Sequence, residues 1–454
     1  MARPGEASNQ PRPHGDETAI GLQTGSTLPI YDARCSTPAE STAMTLRPVA
    51  SLVASVFALA CASASAQTAA SSHCAPLETQ PANASSQKPA FAGQTRACAA
   101  PKSAAVNVAV LATGLVKPWS VEPLPDGALL VTEKPGRLRL VSSDGKLGAP
   151  IAGLPPVDAR GQGGLLDVEL SPGFASDRTI YWSFSEPRQG GNGTSVAKGV
   201  LSQDRSRVEQ VQVILRTMPT YDGDKHYGSR LAFGPDGMLY VTTGERSDRA
   251  TRPQAQQLDS HLGKVLRIRP DGKAPDDNPF VGRAGALPEI WSIGQRNIQA
   301  AAFDPKGGLW VVEMGTQGGD ELNFIEKGKN YGWPLVAYGE EYSGQPIGEG
   351  ATAREGLTQP VYYWDPVIAP SGAQWYTGNA FPAWKGNLFV GGMRKTALVR
   401  LVIENQRVVG EEWLLADRGK RIRDVRQGPD GALYIVTDEE RGELWKVTPA
   451  SVAR

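Results

Sequence analysis

Four cysteines and four histidines in 454 residues leave almost no material for a zinc site, which needs about four such ligands converging on one point. Neither charge is in surplus. With 47 basic and 47 acidic residues the net charge is zero, whereas a protein that binds DNA or RNA usually carries a basic excess. The apolar stretch from Pro48 to Cys61 is shorter than the roughly 20 residues of a membrane-spanning helix. No segment of ten residues has a convincing helical apolar period, and no Cys-x-x-Cys-His is present to attach a c-type haem. These absences exclude coiled coil, nucleic-acid binding and covalent haem. What is plentiful is turn chemistry. Gly 51 and Pro 35 together stay below one fifth of the chain, short of the roughly 25–30 % that marks low complexity, and a hydrophobic share of 40 % suffices for a sizeable core.

The N-terminal hundred residues read as something other than the working domain. Residues 1–43 are polar and lack a hydrophobic period, and are expected to be an extension upstream of the true start. Met44-Thr-Leu-Arg47, the apolar stretch and Ala64-Ser-Ala66 form a secretory signal peptide over 44–66, with the mature chain beginning near Gln67 in the periplasm. Lipidation at Cys61 is the rival reading, but Ala58-Leu59-Ala60 fits that pattern poorly. Residues 67–105, made of Ala, Ser, Gln, Thr and Pro, read as a flexible lead-in. Cys74 and Cys98, the cysteines left after cleavage, can form a disulfide in an oxidising compartment or remain free.

From Val106 onward one unit recurs. A tight turn, Pro-Asp-Gly or a relative, feeds a short strand of β-branched and aromatic residues. It begins at Pro125-Asp-Gly127, Ser171-Pro-Gly173, Pro235-Asp-Gly237, Pro305-Lys-Gly307, Trp384-Lys-Gly386 and Pro429-Asp-Gly431. Several units continue into a second strand, as at Gly136–Val141 and Gly442–Val447, which is a hairpin signature. Six units at spacings of about 45–80 residues predict an all-β, six-bladed β-propeller of four-stranded antiparallel blades over residues 106–448. A β-sandwich with repeated hairpins does not naturally give six such units. Stretches near 248–290 and 338–360 are expected as loops on one face, where a ligand would sit over the central channel.

Polar residues concentrate at the junctions between units. Gly161-Gln162-Gly-Gly164 opens one strand, His226-Tyr-Gly-Ser-Arg230 another, and Gly244-Glu245-Arg246 follows a third. Gln295-Arg296-Asn297 precedes the fourth unit. Glu313-Met-Gly315-Thr316 and Gly318-Gly-Asp-Glu321 follow it, leading to Asn330-Tyr-Gly-Trp-Pro334, and Arg421-Ile-Arg423-Asp424 precedes the sixth. Two arginines spaced by two on a strand point to the same side. In this order, one per junction, these blocks resemble the soluble glucose and aldose sugar dehydrogenases that depend on pyrroloquinoline quinone (PQQ), which are six-bladed propellers. The resemblance runs from about Leu115 to Val447.

The resemblance implies His226 as general base, Gln162 on the substrate side, and Glu245 as the acid that orients the histidine. It implies that Arg296, Asn297, Arg421 and Arg423 hold PQQ, that Arg394 stands at a cofactor-binding lysine, and that Trp364 lies among aromatics lining the site. The carbonyls of Gly315 and Thr316 match those that bind Ca²⁺, and residues 337–341 fall where the family's glucose enzyme binds a second, structural calcium, a site this sequence leaves open. The chemistry agrees with these residue types. PQQ carries three carboxylates, for which guanidinium forks are natural anchors. Ca²⁺ takes carbonyl oxygens. An imidazole with an ordinary pKa of about 6.5 suits removal of the hydroxyl proton at C1 of an aldose. Beyond the lead-in the remaining histidine, His261, reads as a turn residue. Gln295, Met314 and Thr316 depart from the family pattern, which often has His, His and Pro there. The expected activity is oxidation of an aldose to a lactone, with electrons passed to an external acceptor. A non-catalytic carbohydrate- or protein-binding propeller and a calcium-dependent lactonase are the alternatives.

Overall fold

The aspartate of each Pro-Asp-Gly turn holds the hairpin that follows it. Asp236 accepts the Met238 N–H through Oδ1 and the Tyr240 hydroxyl through Oδ2, each at 3.1 Å. Asp430 repeats this with Ala432 and Tyr434 at 3.1 and 3.0 Å. Gly237 closes its turn with φ of +73°, a conformation that costs glycine nothing. The computed structural model describes residues 74–102 and 105–450. The extension 1–43, the signal peptide 44–66 and the start at Gln67 lie outside the described residues.

The hairpins build six four-stranded antiparallel sheets. Blade 1 comprises Pro118–Pro123, Leu129–Glu133, Arg137–Val141 and Leu147–Ile151, and blade 2 comprises Leu165–Leu170, Thr179–Arg188, Gly191–Leu201 and Val208–Arg216. Blade 3 has Gly228–Phe233, Leu239–Thr243, Lys264–Ile268 and Ile290–Ile293; blade 4 has Ile298–Phe303, Leu309–Glu313, Asp320–Ile325 and Tyr362–Trp364. Blade 5 has Pro370–Trp375, Leu388–Gly392, Ala397–Glu404 and Arg407–Leu414. Blade 6 takes Ile422–Gln427, Leu433–Thr437 and Gly442–Pro449 from the C-terminal end, and its outer strand, Val106–Leu115, from the N-terminal side. The first strand of each blade lies innermost and touches its counterparts, so the ring closes from Ile422–Gln427 back to Pro118–Pro123. The six-bladed propeller predicted from the turns is the observed fold.

Apolar faces pack between neighbouring blades. Trp310, Trp364, Trp375 and Val399 fill the space between blades 4 and 5, and Leu130, Trp182 and Phe184 that between blades 1 and 2. The centre of the ring is polar. Arg230 sits between Asp167 at 2.7 Å and Asp424 at 3.2 Å, with its guanidinium 4.3 Å above the Trp119 ring. This buried group plugs the channel.

Because strands alternate in direction, the Pro-Asp-Gly turns lie on one face, and the segments before each inner strand lie on the other, with the loops that join second to third strands. The expectation of one loop over 248–290 needs correction. Strand Lys264–Ile268 divides that stretch, sending 248–263 to the second face and 269–289 to the first. The connection from Ile325 to Tyr362 does reach the second face. It runs beside blade 3, with Asn330 pairing in parallel with Ile293, and its upper part pairs Glu340 with Gln317.

The lead-in also differs from its composition. Residues 74–102 run along blades 4 and 5, closed by a Cys74–Cys98 disulfide. Asp365 accepts the N–H groups of Asn83 and Ala84 at 2.6 and 3.0 Å. Ala100 and Cys98 exchange backbone bonds with Glu411 on the outer strand of blade 5, each at 2.8 Å. Edge pairing and a cross-link hold a segment whose composition alone promises no core.

Candidate active site

At the second face the channel widens into a cavity of about 230 Å³, lined by residues from blades 1 to 6 that include Trp119, Gln162, Tyr227, Met314, Met393 and Arg423. His226 is buried next to it, bonded to the lining residue Gln162 and placed one residue before Tyr227 and two before the inner strand of blade 3. Its φ of +47° is a left-handed conformation that costs a non-glycine residue about 1–3 kcal/mol. Two bonds fix it there. Gln162 Oε1 accepts the His226 backbone N–H at 2.8 Å, and His226 Nδ1 meets Glu245 Oε2 at 2.9 Å. Gly244, beside Glu245, allows the approach, since a Cβ there would lie 2.3 Å from the His226 carbonyl oxygen.

The electrostatics make His226 a neutral base. Burial, and then the charge of Arg296, hold its pKa below the ordinary value, more than Glu245 raises it. Burial alone would raise the Glu245 carboxyl, but His226, Arg296 and the Ser247 N–H bring it below its usual range. With Nδ1 occupied by Glu245, Nε2 is the nitrogen left for a substrate. His261 takes the turn role expected of it, with Nδ1 accepting the Met218 N–H at 3.1 Å and Nε2 facing Glu289 at 3.2 Å.

Arg421 and Arg423 do share a side. Both reach Asp438, Arg421 through Nε and Nη2 at 2.8 and 2.6 Å, Arg423 through Nε and Nη2 at 2.8 and 2.5 Å. Two guanidiniums on one carboxylate leave a positive charge facing the cavity, and Lys134 adds another from blade 1, its Nζ donating to the Gly161 carbonyl at 2.6 Å. Burial, and then Arg423, lower the Lys134 pKa. Asn297 lies beneath, its Oδ1 accepting the Gly228 N–H at 3.1 Å and its Nδ2 near the Met314 sulfur at 3.8 Å.

Arg296 donates through Nη1 to the carbonyls of Met314, at 2.8 Å, and Gly315, at 2.5 Å, while its Nε is buried without a partner. The Gly315 carbonyl therefore already faces a cation. Asp320 braces this loop, accepting the N–H groups of Gly315 and Ala369 at 2.8 Å each, and burial pushes its carboxyl up to about 6. Thr316 is buried beside it.

Arg296, Gly315 and Thr316 line a smaller adjoining pocket, and Trp364 and Arg394 are brought to neither. Trp364 sits on the outer strand of blade 4, donating its indole N–H to Glu411 at 3.2 Å within the core between blades 4 and 5. Its strand position turns the ring into the sheet interface, so it does not line the site. The Arg394 side chain is exposed, and its neighbour Met393 faces the cavity instead. Near 337–341, where the resemblance places a second cation, Glu341 is bound by Arg252. Lys134 and Asp438 were missed, because nothing in their local sequence marks a partner on another blade.

The sequence matches the Glucose / Sorbosone dehydrogenase family over residues 115–446, all six blades. The chain belongs to this family. The family places it among oxidoreductases, and its relatives agree. It is 45 % identical to the aldose sugar dehydrogenase of Escherichia coli strain K12 over 350 residues, which is 76 % of this chain and 94 % of that one. Quinoprotein glucose dehydrogenase B of Acinetobacter calcoaceticus is 26 % identical over 74 % of this chain and 86 % of its own. Among solved structures, the PQQ-bound aldose sugar dehydrogenase of Streptomyces coelicolor superposes with a TM-score of 0.63 at 30 % identity, covering 77 % of this chain and all of that one. The apo form of the E. coli enzyme gives 0.73 at 44 % identity, over 76 % of this chain and all of that one. Among the described residues no helix is long and apolar enough to cross a membrane.

Proposed function

We propose that this family member oxidises the C1 hydroxyl of aldoses to lactones with PQQ and Ca²⁺, in the periplasm. The observation that carries the reading is the His226–Glu245 pair, 2.9 Å apart and buried beside a cavity lined by Gln162, Tyr227, Arg421, Arg423 and Lys134. The positive charge of Arg421, Arg423 and Lys134 around the cavity fits an anion rich in carboxylates, and in the adjoining pocket of Gly315 and Thr316 the buried Arg296 Nε is without a partner. The carbonyls of Gly315 and Thr316 fit Ca²⁺, a hard ion that takes oxygen ligands, and Arg296 would release Gly315 to it.

When bound, PQQ supplies a two-electron acceptor and Ca²⁺ a Lewis acid beside it. The chain's own part is proton removal and placement. His226 Nε2 takes the C1 hydroxyl proton as the C1 hydrogen leaves with its electron pair, giving the lactone. Glu245 holds Nδ1 and stabilises the imidazolium that forms, and Gln162 fixes the backbone that carries it. Arg421 and Arg423, oriented by Asp438, would hold the cofactor's carboxylates. Asn297 keeps the Gly228 backbone in place in the cavity wall. The Cys74–Cys98 disulfide supports export to an oxidising compartment. An external electron acceptor completes turnover.

The test is reconstitution. Protein loaded with PQQ and CaCl₂ is expected to show the cofactor's absorbance and to reduce a dye when an aldose is added. Cofactor binding without aldose-dependent dye reduction would overturn the assignment.

A further inference from the structure

The contacts that orient His226 extend past Glu245. Glu245 Oε2 also accepts the Ser247 backbone N–H, and the Ser247 carbonyl accepts Arg252 Nε at 3.3 Å. Arg252 then holds Glu341 with both terminal nitrogens, Nη1 on Oε1 and Nη2 on Oε2, the latter at 3.1 Å. The first three residues belong to blade 3, and Glu341 to the long connection of blade 4. The pair is 15 % and 13 % exposed on its two sides, and its fork-to-fork geometry distinguishes it from solvated surface pairs that contribute little. The Arg252 guanidinium lies 5.4 Å from the centre of the Trp333 ring, which also carries Arg296 at 5.2 Å. Glu341 is fixed in turn by Gln317, whose Nε2 donates to the Glu341 carbonyl at 3.1 Å, and whose backbone pairs with Glu340.

We propose that the Arg252–Glu341 ion pair is a positioning device for the general base, locking the loop that carries Glu245 to the blade 4 connection so that the carboxylate stays on His226 Nδ1. Neither residue touches the reacting atoms; both act through the loop from Gly244 to Gln256. The proposal rests on the dehydrogenase reading for its kinetic consequence but not for its electrostatic one.

The charges around His226 give it a signature that a structural brace lacks. From its own blade His226 faces Glu245 and Arg252, and from the junction with blade 4 it faces Arg296. Across the cavity stand Lys134, Arg421 and Arg423 with Asp438. Arg252 and Arg296 both disfavour the imidazolium, and Glu341 offsets Arg252. Removing Glu341 leaves Arg252 uncompensated, so His226 should become harder to protonate. Removing Arg252 takes away its charge but also frees Glu245, two effects of opposite sign.

The experiment uses histidine-labelled full-length protein without cofactor, with the imidazoles titrated by NMR and His226 assigned by its loss in H226Q. E341Q is expected to move the His226 titration to lower pH, and R252M to move it less, because losing the Arg252 charge opposes losing the Glu245 contact. In PQQ- and Ca²⁺-loaded protein both should lower kcat about tenfold with KM for the aldose little changed, because a displaced base costs turnover rather than binding. R252K, which keeps the charge but not the fork, should lose kcat and move the titration to lower pH as Glu245 leaves Nδ1, and it serves if R252M does not fold. A His226 titration unmoved in E341Q, or wild-type kcat in both E341Q and R252K, would overturn the proposal. If wild-type protein oxidises no aldose, the dehydrogenase reading fails, and the NMR shifts alone decide this one.

Discussion

His226 is held in a left-handed backbone conformation, with one backbone bond to blade 2 and one side-chain bond to Glu245. Residues keep such strain where the surroundings over-determine it, and here what is over-determined is the direction of Nε2. His226→Ala in cofactor-saturated protein is therefore expected to cut turnover about 10²–10⁴-fold with PQQ still bound, as measured by steady-state aldose oxidation with a dye acceptor. The pH dependence has a definite sign. Burial and Arg296 lower the His226 pKa, so the base stays unprotonated to lower pH than a free imidazole. The acidic limb of kcat/KM should fall below pH 6.5, the ordinary histidine value, and a limb above it would contradict this environment. That His226 is the candidate base was legible from the block His226–Arg230 and from the scarcity of histidine. That it is tuned by Arg296 and Arg252 was not, because those charges arrive from loops 26 and 70 residues away along a chain folded into blades.

Strand Ile422–Gln427 shows the same limit at the level of an element. Its period of two, read from Arg421-Ile-Arg423, correctly places both guanidiniums on one side. Their partner Asp438 lies past the next strand, beyond any local period. Trp364 shows the converse, since an aromatic near a site motif reads as lining, while its place on an outer strand turns it into the interface between blades 4 and 5. The turns were more legible than the loops because Pro-Asp-Gly carries its own hydrogen-bonding chemistry, whereas the stretch 248–290 hid strand Lys264–Ile268. For the arginine strand the expected outcome is direct. Arg421→Ala with Arg423→Ala should weaken PQQ binding a hundredfold or more, since charge-assisted bonds contribute about 1.5–3 kcal/mol each. Titration of PQQ into the double variant at wild-type affinity would move the cofactor elsewhere. The circular dichroism of the variant should match wild type, because the strand's backbone ladder to Leu433–Thr437 is unchanged.

A ring of blades is only as stable as its closure, and here the ends of the chain close it. Val106–Leu115 pairs with Gly442–Pro449, Val106 opposite Pro449 and Leu115 opposite Gly442, so blade 6 is complete only when both ends are present. The preceding segment 74–102 has a different task. It fastens to the outer edge of blade 5 through Glu411 and is cross-linked by Cys74–Cys98. A disulfide across such a separation contributes about 3 kcal/mol by restricting the unfolded chain. The two parts therefore predict different failures. A chain beginning at Ala105 keeps all six blades and should remain folded without aggregating, melting some degrees lower in thermal denaturation. A chain beginning at Val116 leaves Gly442–Pro449 as an open, largely buried edge carrying Leu444 and Trp445, and unpaired apolar edges recruit other chains. It should lose cooperative unfolding and aggregate, as seen by calorimetry and size-exclusion chromatography. Equal behaviour of the two truncations would show that closure resides in the packing between blades and not in the shared sheet.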